Sequence, residues 1–193
     1  MSMQEIIDSL TGGKVIKKGE YAYLLHPLFD GFPNVESTLF HKVIDQLSKA
    51  ICSFDEFDKL VTIEAMGVPF AAGVCLQTSI PFSIIRKRRY HLEKELVVHQ
   101  KTGYSSSELS LNGFHHGERV VIIDDVLSSG GTLSAVIEGL QSLGVEVIGV
   151  CVVIDKGRKR IDLEKRYSVP IIPLLTLKVS MKGIEMVNVW DNS

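Results

Sequence analysis

Cysteine is scarce in this chain, with only Cys52, Cys75 and Cys151. Each stands alone in an apolar segment, no CxxC pair occurs, and the count is odd, so neither a disulfide framework nor a zinc site is supported. They read as buried thiols in a reducing compartment. Long apolar runs are also missing: the stretch at 147–154 falls far short of the roughly 18 residues that cross a bilayer. The opening MSMQEIIDSL has neither a basic n-region nor an apolar h-region. A soluble, cytoplasmic chain without membrane contact is expected. No charge predominates, since 21 Lys and Arg face 23 Asp and Glu for a net charge of −2. That balance argues against wholesale nucleic-acid binding, while a local basic patch could still meet an anionic small molecule. Internal repeats and low-complexity segments are absent as well. What is present, 193 residues at 45% hydrophobic and 23% charged, suits one domain (1–193) able to bury a real core.

Gly and Pro punctuate a series of β-branched runs: VTIEA from Val61, PFSIIR from Pro81, ERVVIID from Glu118, VEVIGVCVVI from Val145 and VPIIPLLTL from Val169. Several are apolar on both faces, which predicts a sheet covered on both sides and hence parallel strands with crossover helices. Leu133, Val136, Ile137, Leu140 and Leu143 follow helical spacing, with Gly144 placed to end the helix in a left-handed conformation. Another helix is predicted over 37–51, with Leu39, Val43, Ile44, Leu47 and Ile51 inward and Ser37 as N-cap. A third is expected over 68–79. The fold class is therefore α/β, an open, mainly parallel sheet flanked by helices. The first 36 residues do not fit the repeat. Their two short runs, 14–17 and 21–25, precede the turn-rich HPLFDGFPN, and they predict a small hood or flap beside the main sheet.

The most informative segment is VVIIDDVLSSGGTL, 120–133. In open α/β sheets ligands bind beyond the carboxyl ends of strands, and the loop entering a helix offers unpaired N–H groups to anions. Ser128, Ser129, Gly130, Gly131 and Thr132 suit a phosphate monoester, because glycines admit close backbone approach and hydroxyls add donors without bulk. Asp124 and Asp125 would repel that anion, but adjacent carboxylates at a strand end can accept from the vicinal hydroxyls of a ribose whose 5′-phosphate fills the turn. A surface turn with an N-cap is the bland alternative for an isolated SGGT. The segment matches neither a Walker loop nor GxGxxG.

The same segment resembles the signature of type I phosphoribosyltransferases, and the resemblance extends over nearly the whole chain. VTIEAMGVP, 61–69, looks like the pyrophosphate loop of that family, which makes Ala65, Met66 and Gly67 candidates for pyrophosphate contact. IIRKRRYHLEKELVVHQKTGYS carries the cations Arg86, Lys87, Arg88 and Arg89 where a strand meets a long polar excursion. Such runs are usually solvated faces. Beside a polyanion site they can stabilise the charge that develops on departing pyrophosphate, and Arg86 and Lys87 are expected to face substrate. Residues 91–112 resemble the mobile catalytic loop, a lid that excludes water. Within the family, VIKKGEYAYLLHPLFDGFP, VHQKTGYS and VIDKG look most like the archaeal hypoxanthine/guanine phosphoribosyltransferases of the purine branch.

The resemblance implies transfer of the phosphoribosyl group from phosphoribosyl pyrophosphate to a free purine base in purine salvage, by a homodimer. Mg²⁺ is expected to bridge substrate oxygens rather than sit in a protein cage. No residue need act as a covalent nucleophile; positioning and electrostatics suffice, with Asp124, Asp125, Arg86 and Lys87 as the catalytic set. Lys156 ends a core strand, and its ammonium can donate to O6 of hypoxanthine or guanine but offers no acceptor to the amino group of adenine. The alternative is a surface lysine. Phe29, Phe32 or Tyr23 could stack on the base. Glu64 and Asp155 are possible proton or metal-water partners, and His115 and His116 read as a polar turn because no ligand partner stands at metal spacing. Rival readings are a phosphoribosyltransferase for xanthine, adenine or orotate, and a non-catalytic sensor of phosphoribosyl pyrophosphate.

Overall fold

A computed structural model describes residues 3–19, 21–101, 106–157 and 159–191. From the N-terminus the chain forms α1 (Met3–Thr11), β1 (Lys14–Lys18), β2 (Tyr21–Leu25), the one-turn α2 (Pro27–Asp30) and α3 (Ser37–Ile51). There follow β3 (Lys59–Ile63), α4 (Gly67–Thr78), β4 (Phe82–Ile85), β5 (Leu96–Lys101) and β6 (Ser106–Leu111). The remainder is β7 (Arg119–Leu127), α5 (Gly131–Ser142), β8 (Glu146–Asp155), α6 (Arg160–Tyr167), β9 (Ile171–Ser180) and β10 (Gly183–Val189). Six strands make the central sheet in the order β10-β9-β8-β7-β3-β4. Every neighbouring pair is parallel except β9 with β10.

Successive side chains of a strand point to opposite faces, and here both faces are buried. In β7, Val121 and Ile123 enter the core shared with α1, α2, α3 and α4, while Val120 and Ile122 enter the core shared with α5 and the β5–β6 hairpin. Cys151 and Val153 of β8 divide from Val150 and Val152 in the same way. Double burial is why these strands read as continuous apolar runs. Gly139 lets the hairpin settle on α5, since a Cβ there would lie 2.9 Å from Val98 and 3.0 Å from Leu111.

Several elements differ from the sequence expectation. The Asp pair does not end its strand, because β7 pairs with β8 as far as Leu127. Within 91–112, β5 and β6 pair antiparallel where the sequence suggested a loop; the Gly103 and Tyr104 of that loop fall outside the described residues. Helix α3 spans the expected range, but Glu36 occupies the N-cap position without a side-chain bond, so Ser37 is already helical. Met3–Thr11 is a helix that buries Ile6 and Leu10 in the main core, each worth about 1.5–3 kcal/mol, so it belongs to the body and not to a flap. Of the cysteines only Cys151 is buried, with its thiol pushed up by burial; Cys75 is half-buried, and Cys52 is exposed just past the end of α3. No helix among the described residues is long and apolar enough to cross a membrane.

Candidate active site

The C-terminal ends of β3, β4, β7 and β8 meet at one rim of the sheet. Between β7 and α5 the chain turns through Ser128, Ser129 and Gly130, where Gly130 takes φ +76° and the N-cap position of α5. A side chain at Gly130 would press on Leu163 of α6 at 2.9 Å, so both backbone freedom and space call for glycine. Gly130 at the N-cap has no side chain to offer α5, and the first turn carries no acid; the Gly131 N–H donates to Ser129 Oγ over a long 3.5 Å. The leading N–H groups of Gly131 and Thr132, with the positive end of the helix, form an anion-receptive mouth.

Beside this mouth stand the two carboxyls. Asp124 Oδ1 accepts the Asp125 N–H at 3.0 Å. Burial, then the Asp125 carboxylate, push Asp124 well above the ordinary carboxyl range, with Lys87 pulling the other way. Asp125 is also pushed up, chiefly by burial, with a smaller push from Asp30 of the hood. Asp124 Oδ1 stands beside Gly67, with Lys87 near enough to act on its charge. Gly67 begins α4 so close to β7 that a Cβ would meet Thr62 Oγ1 and lie 2.7 Å from Asp124 Oδ1. Only glycine fits between the pyrophosphate-loop candidate and the acid pair.

Of that loop, Ala65 is exposed, Met66 half-buried and Gly67 buried. Next to it, Arg86 Nε lies 2.7 Å from Glu64 Oε2, and the Lys87 N–H donates to the same oxygen at 3.2 Å. The strand-end acid therefore holds the start of the basic run against the loop. Glu64 is thus engaged with the basic run. Arg86 also joins the hairpin through a bridge to Ser110. Farther along, Arg88 donates to Tyr90 Oη at 3.0 Å, while Arg89 pairs with Glu108 of β6 and so serves the hairpin.

Lys156 follows β8, its N–H bonded to the Leu127 carbonyl at 2.9 Å, and its Nζ lies over the Tyr23 ring at 5.4 Å from the centroid. Asp155 is 1% exposed, accepts the Gly157 N–H at 2.8 Å and faces Arg160 at 3.5 Å. It organises the β8–α6 turn. Phe29 is corrected as a stacking face: at 6% exposure it belongs to the core under the hood, its ring tilted against His26. Phe32, at 54%, stays open. His116 packs against Gly144 in the turn before β7. Among the described residues no group of three or more His, Cys, Asp or Glu side chains could hold a metal ion.

Two residues of the site were not singled out from sequence. Asp30 closes α2 and lies near both Tyr23 and Asp125; its signal was an acid in an otherwise apolar HPLFDGFP turn. Thr62 is wholly buried at the foot of Gly67, its hydroxyl without a hydrogen-bond partner among the described residues. Within a β-branched strand nothing marked it.

A mainly parallel open sheet that brings an acid pair, a helix start and a basic run to one rim is the arrangement of an α/β phosphosugar-binding protein. The Phosphoribosyl transferase domain model matches residues 36–184, and the chain belongs to that family. The hypoxanthine/guanine phosphoribosyltransferase of Methanosarcina acetivorans is 43% identical over 190 residues, covering 98% of this chain and 99% of that protein. Its namesake from Methanocaldococcus infernus is 47% identical over 172 residues, 89% and 93% of the two chains. Among solved structures, adenine phosphoribosyltransferase from Thermoanaerobacter pseudethanolicus superposes with TM-score 0.73 at 25% identity, covering 91% of this chain and 99% of that one. The Saccharomyces cerevisiae adenine enzyme gives 0.70 at 20% identity over 89% and 97%, a likeness of fold.

Proposed function

We propose that this chain transfers the 5-phosphoribosyl group of phosphoribosyl pyrophosphate to hypoxanthine, and to guanine, yielding IMP or GMP and pyrophosphate in purine salvage. The observation that carries the reading is the common rim: the acid pair in the later half of β7, the α5 start, Gly67 and Lys156 lie toward the carboxyl ends of adjacent strands. Relatives named hypoxanthine/guanine phosphoribosyltransferase over nearly the whole chain support it.

In this reading Ser128, Ser129, Gly130, Gly131 and Thr132 take the 5′-phosphate at the helix start. Asp124 and Asp125 accept from the ribose hydroxyls, and their carboxylate oxygens are hard donors that would suit a hard cation held mainly by substrate oxygens. Mg²⁺, when bound with the substrate, supplies positive charge to the pyrophosphate and ribose oxygens. Ala65, Met66 and Gly67 receive the leaving group, with Arg86 and Lys87 offsetting its charge. Lys156 donates to O6 of the base, and Phe32 offers a stacking face. Fixing ring, phosphate and base in line lets the purine nitrogen enter as pyrophosphate departs, without a covalent enzyme intermediate. A homodimer and a cytoplasmic location accompany this family reading.

The test is pyrophosphate release. With Mg²⁺ and phosphoribosyl pyrophosphate, release should begin only when hypoxanthine is added and should match IMP formed. A protein that binds phosphoribosyl pyrophosphate yet releases nothing with any base would be a sensor, and the enzymatic reading would fall.

A further inference from the structure

The hood holds a chain of fixed contacts that ends on Lys156. Tyr23 Oη donates to Asp30 Oδ1 at 2.7 Å, and Asp30 Oδ2 accepts the His26 backbone N–H at 2.9 Å. Each oxygen of one carboxylate is thereby tied within the hood. His26, 5% exposed, accepts the Leu28 N–H through Nδ1 at 3.2 Å and meets Ser9 Oγ through Nε2 at 3.0 Å, which fastens the α2 turn to α1. Asp30 therefore stands on the body of the protein, and Tyr23 stands on Asp30. Above the Tyr23 ring is the Lys156 ammonium, 5.4 Å from the centroid and inside the range of about 6 Å at which a ring face attracts a cation.

We propose that Tyr23 is a positioning residue for Lys156: its ring, locked by Asp30, sets where the ammonium stands and so which purine edge it can meet. The inference rests on the reading of Lys156 as the O6 donor. A lysine on a four-carbon stem has many rotamers, whereas discrimination between O6 and an amino group needs a donor held in place. A ring face suits this task because it attracts the ammonium without occupying an N–H that O6 requires. A carboxylate in its stead would take one of those donors and neutralise the charge.

The experiment measures kcat and KM for hypoxanthine and adenine, and KM for phosphoribosyl pyrophosphate, in the wild type, Tyr23→Leu, Tyr23→Phe, Lys156→Met and the Tyr23→Leu/Lys156→Met double variant. Tyr23→Leu should raise KM for hypoxanthine by about three- to tenfold, leave KM for phosphoribosyl pyrophosphate unchanged and narrow the preference over adenine. Tyr23→Phe, which keeps ring volume but loses the Asp30 tether, should fall between. In the double variant the preference should be no narrower than with Lys156→Met alone. Equal losses on both bases, or effects that add in full, would overturn the inference and make Tyr23 a part of the hood's packing. If Lys156→Met abolishes the preference while Tyr23→Leu leaves it intact, only the inference falls. If Lys156→Met leaves it intact, the O6 reading falls and takes the inference with it.

Discussion

At the scale of single residues, Asp124 and Asp125 set use against stability. Both folded-state pKa values are raised, so their contribution to stability is fully present below the unfolded value and is lost as pH rises through the raised folded value. Above that range, where the pair is ionised, its burial opposes folding. Replacing both with Asn removes that burden while weakening acceptance from the ribose hydroxyls. The double variant should melt no lower than the wild type at neutral pH and lose affinity for phosphoribosyl pyrophosphate. The loss should be about 1.5–3 kcal/mol for each charge-assisted bond. Calorimetry and thermal melts check this; unchanged affinity with a lowered melting temperature would make the pair structural. These two residues were legible because the acids and the turn are contiguous in sequence. The Tyr23–Asp30–Lys156 arrangement was not, since it forms only when β2 and α2 fold over the end of β8.

At the scale of elements, α4 must start almost in contact with β7. Gly67→Ala would place a methyl 2.7 Å from Asp124 Oδ1 and against Thr62, so the helix start or the acid must move. Overpacking of this kind costs about 1–3 kcal/mol, and for a chain of this size each kcal/mol lowers the melting temperature by about 2–4 °C. A matching fall in affinity for phosphoribosyl pyrophosphate is expected by calorimetry; a variant with wild-type melting and binding would show that the close approach has no bearing on the site. Elements buried on one stripe or on both faces were readable. Val43, Ile44, Leu47 and Ile51 mark α3, and the apolar runs mark β3, β7, β8 and β9. Helix α6 escaped because RIDLEKRY buries only Leu163, leaving no apolar stripe. Strand β10 escaped because it is an edge strand whose residues stay exposed or half-buried. The β5–β6 hairpin was hidden by a polar sequence that reads as loop, although its inward Leu109 and Leu111 join the core beside α5.

At the scale of the whole molecule, the proposed function draws on both sheet and hood. The family model matches residues 36–184, and β1, β2 and α2 precede the match. The alignment with the Methanosarcina acetivorans relative covers 98% of this chain and therefore includes hood sequence. The fold is shared with adenine enzymes; under the proposed function, the choice of base falls to the Lys156 ammonium that stands over Tyr23. The most direct measurement is kcat/KM for hypoxanthine, guanine, xanthine, adenine and orotate at saturating phosphoribosyl pyrophosphate and Mg²⁺. Hypoxanthine and guanine should lead adenine by about a hundredfold or more, the range open to a site that hydrogen-bonds its substrate. A preference for adenine or orotate would contradict the account.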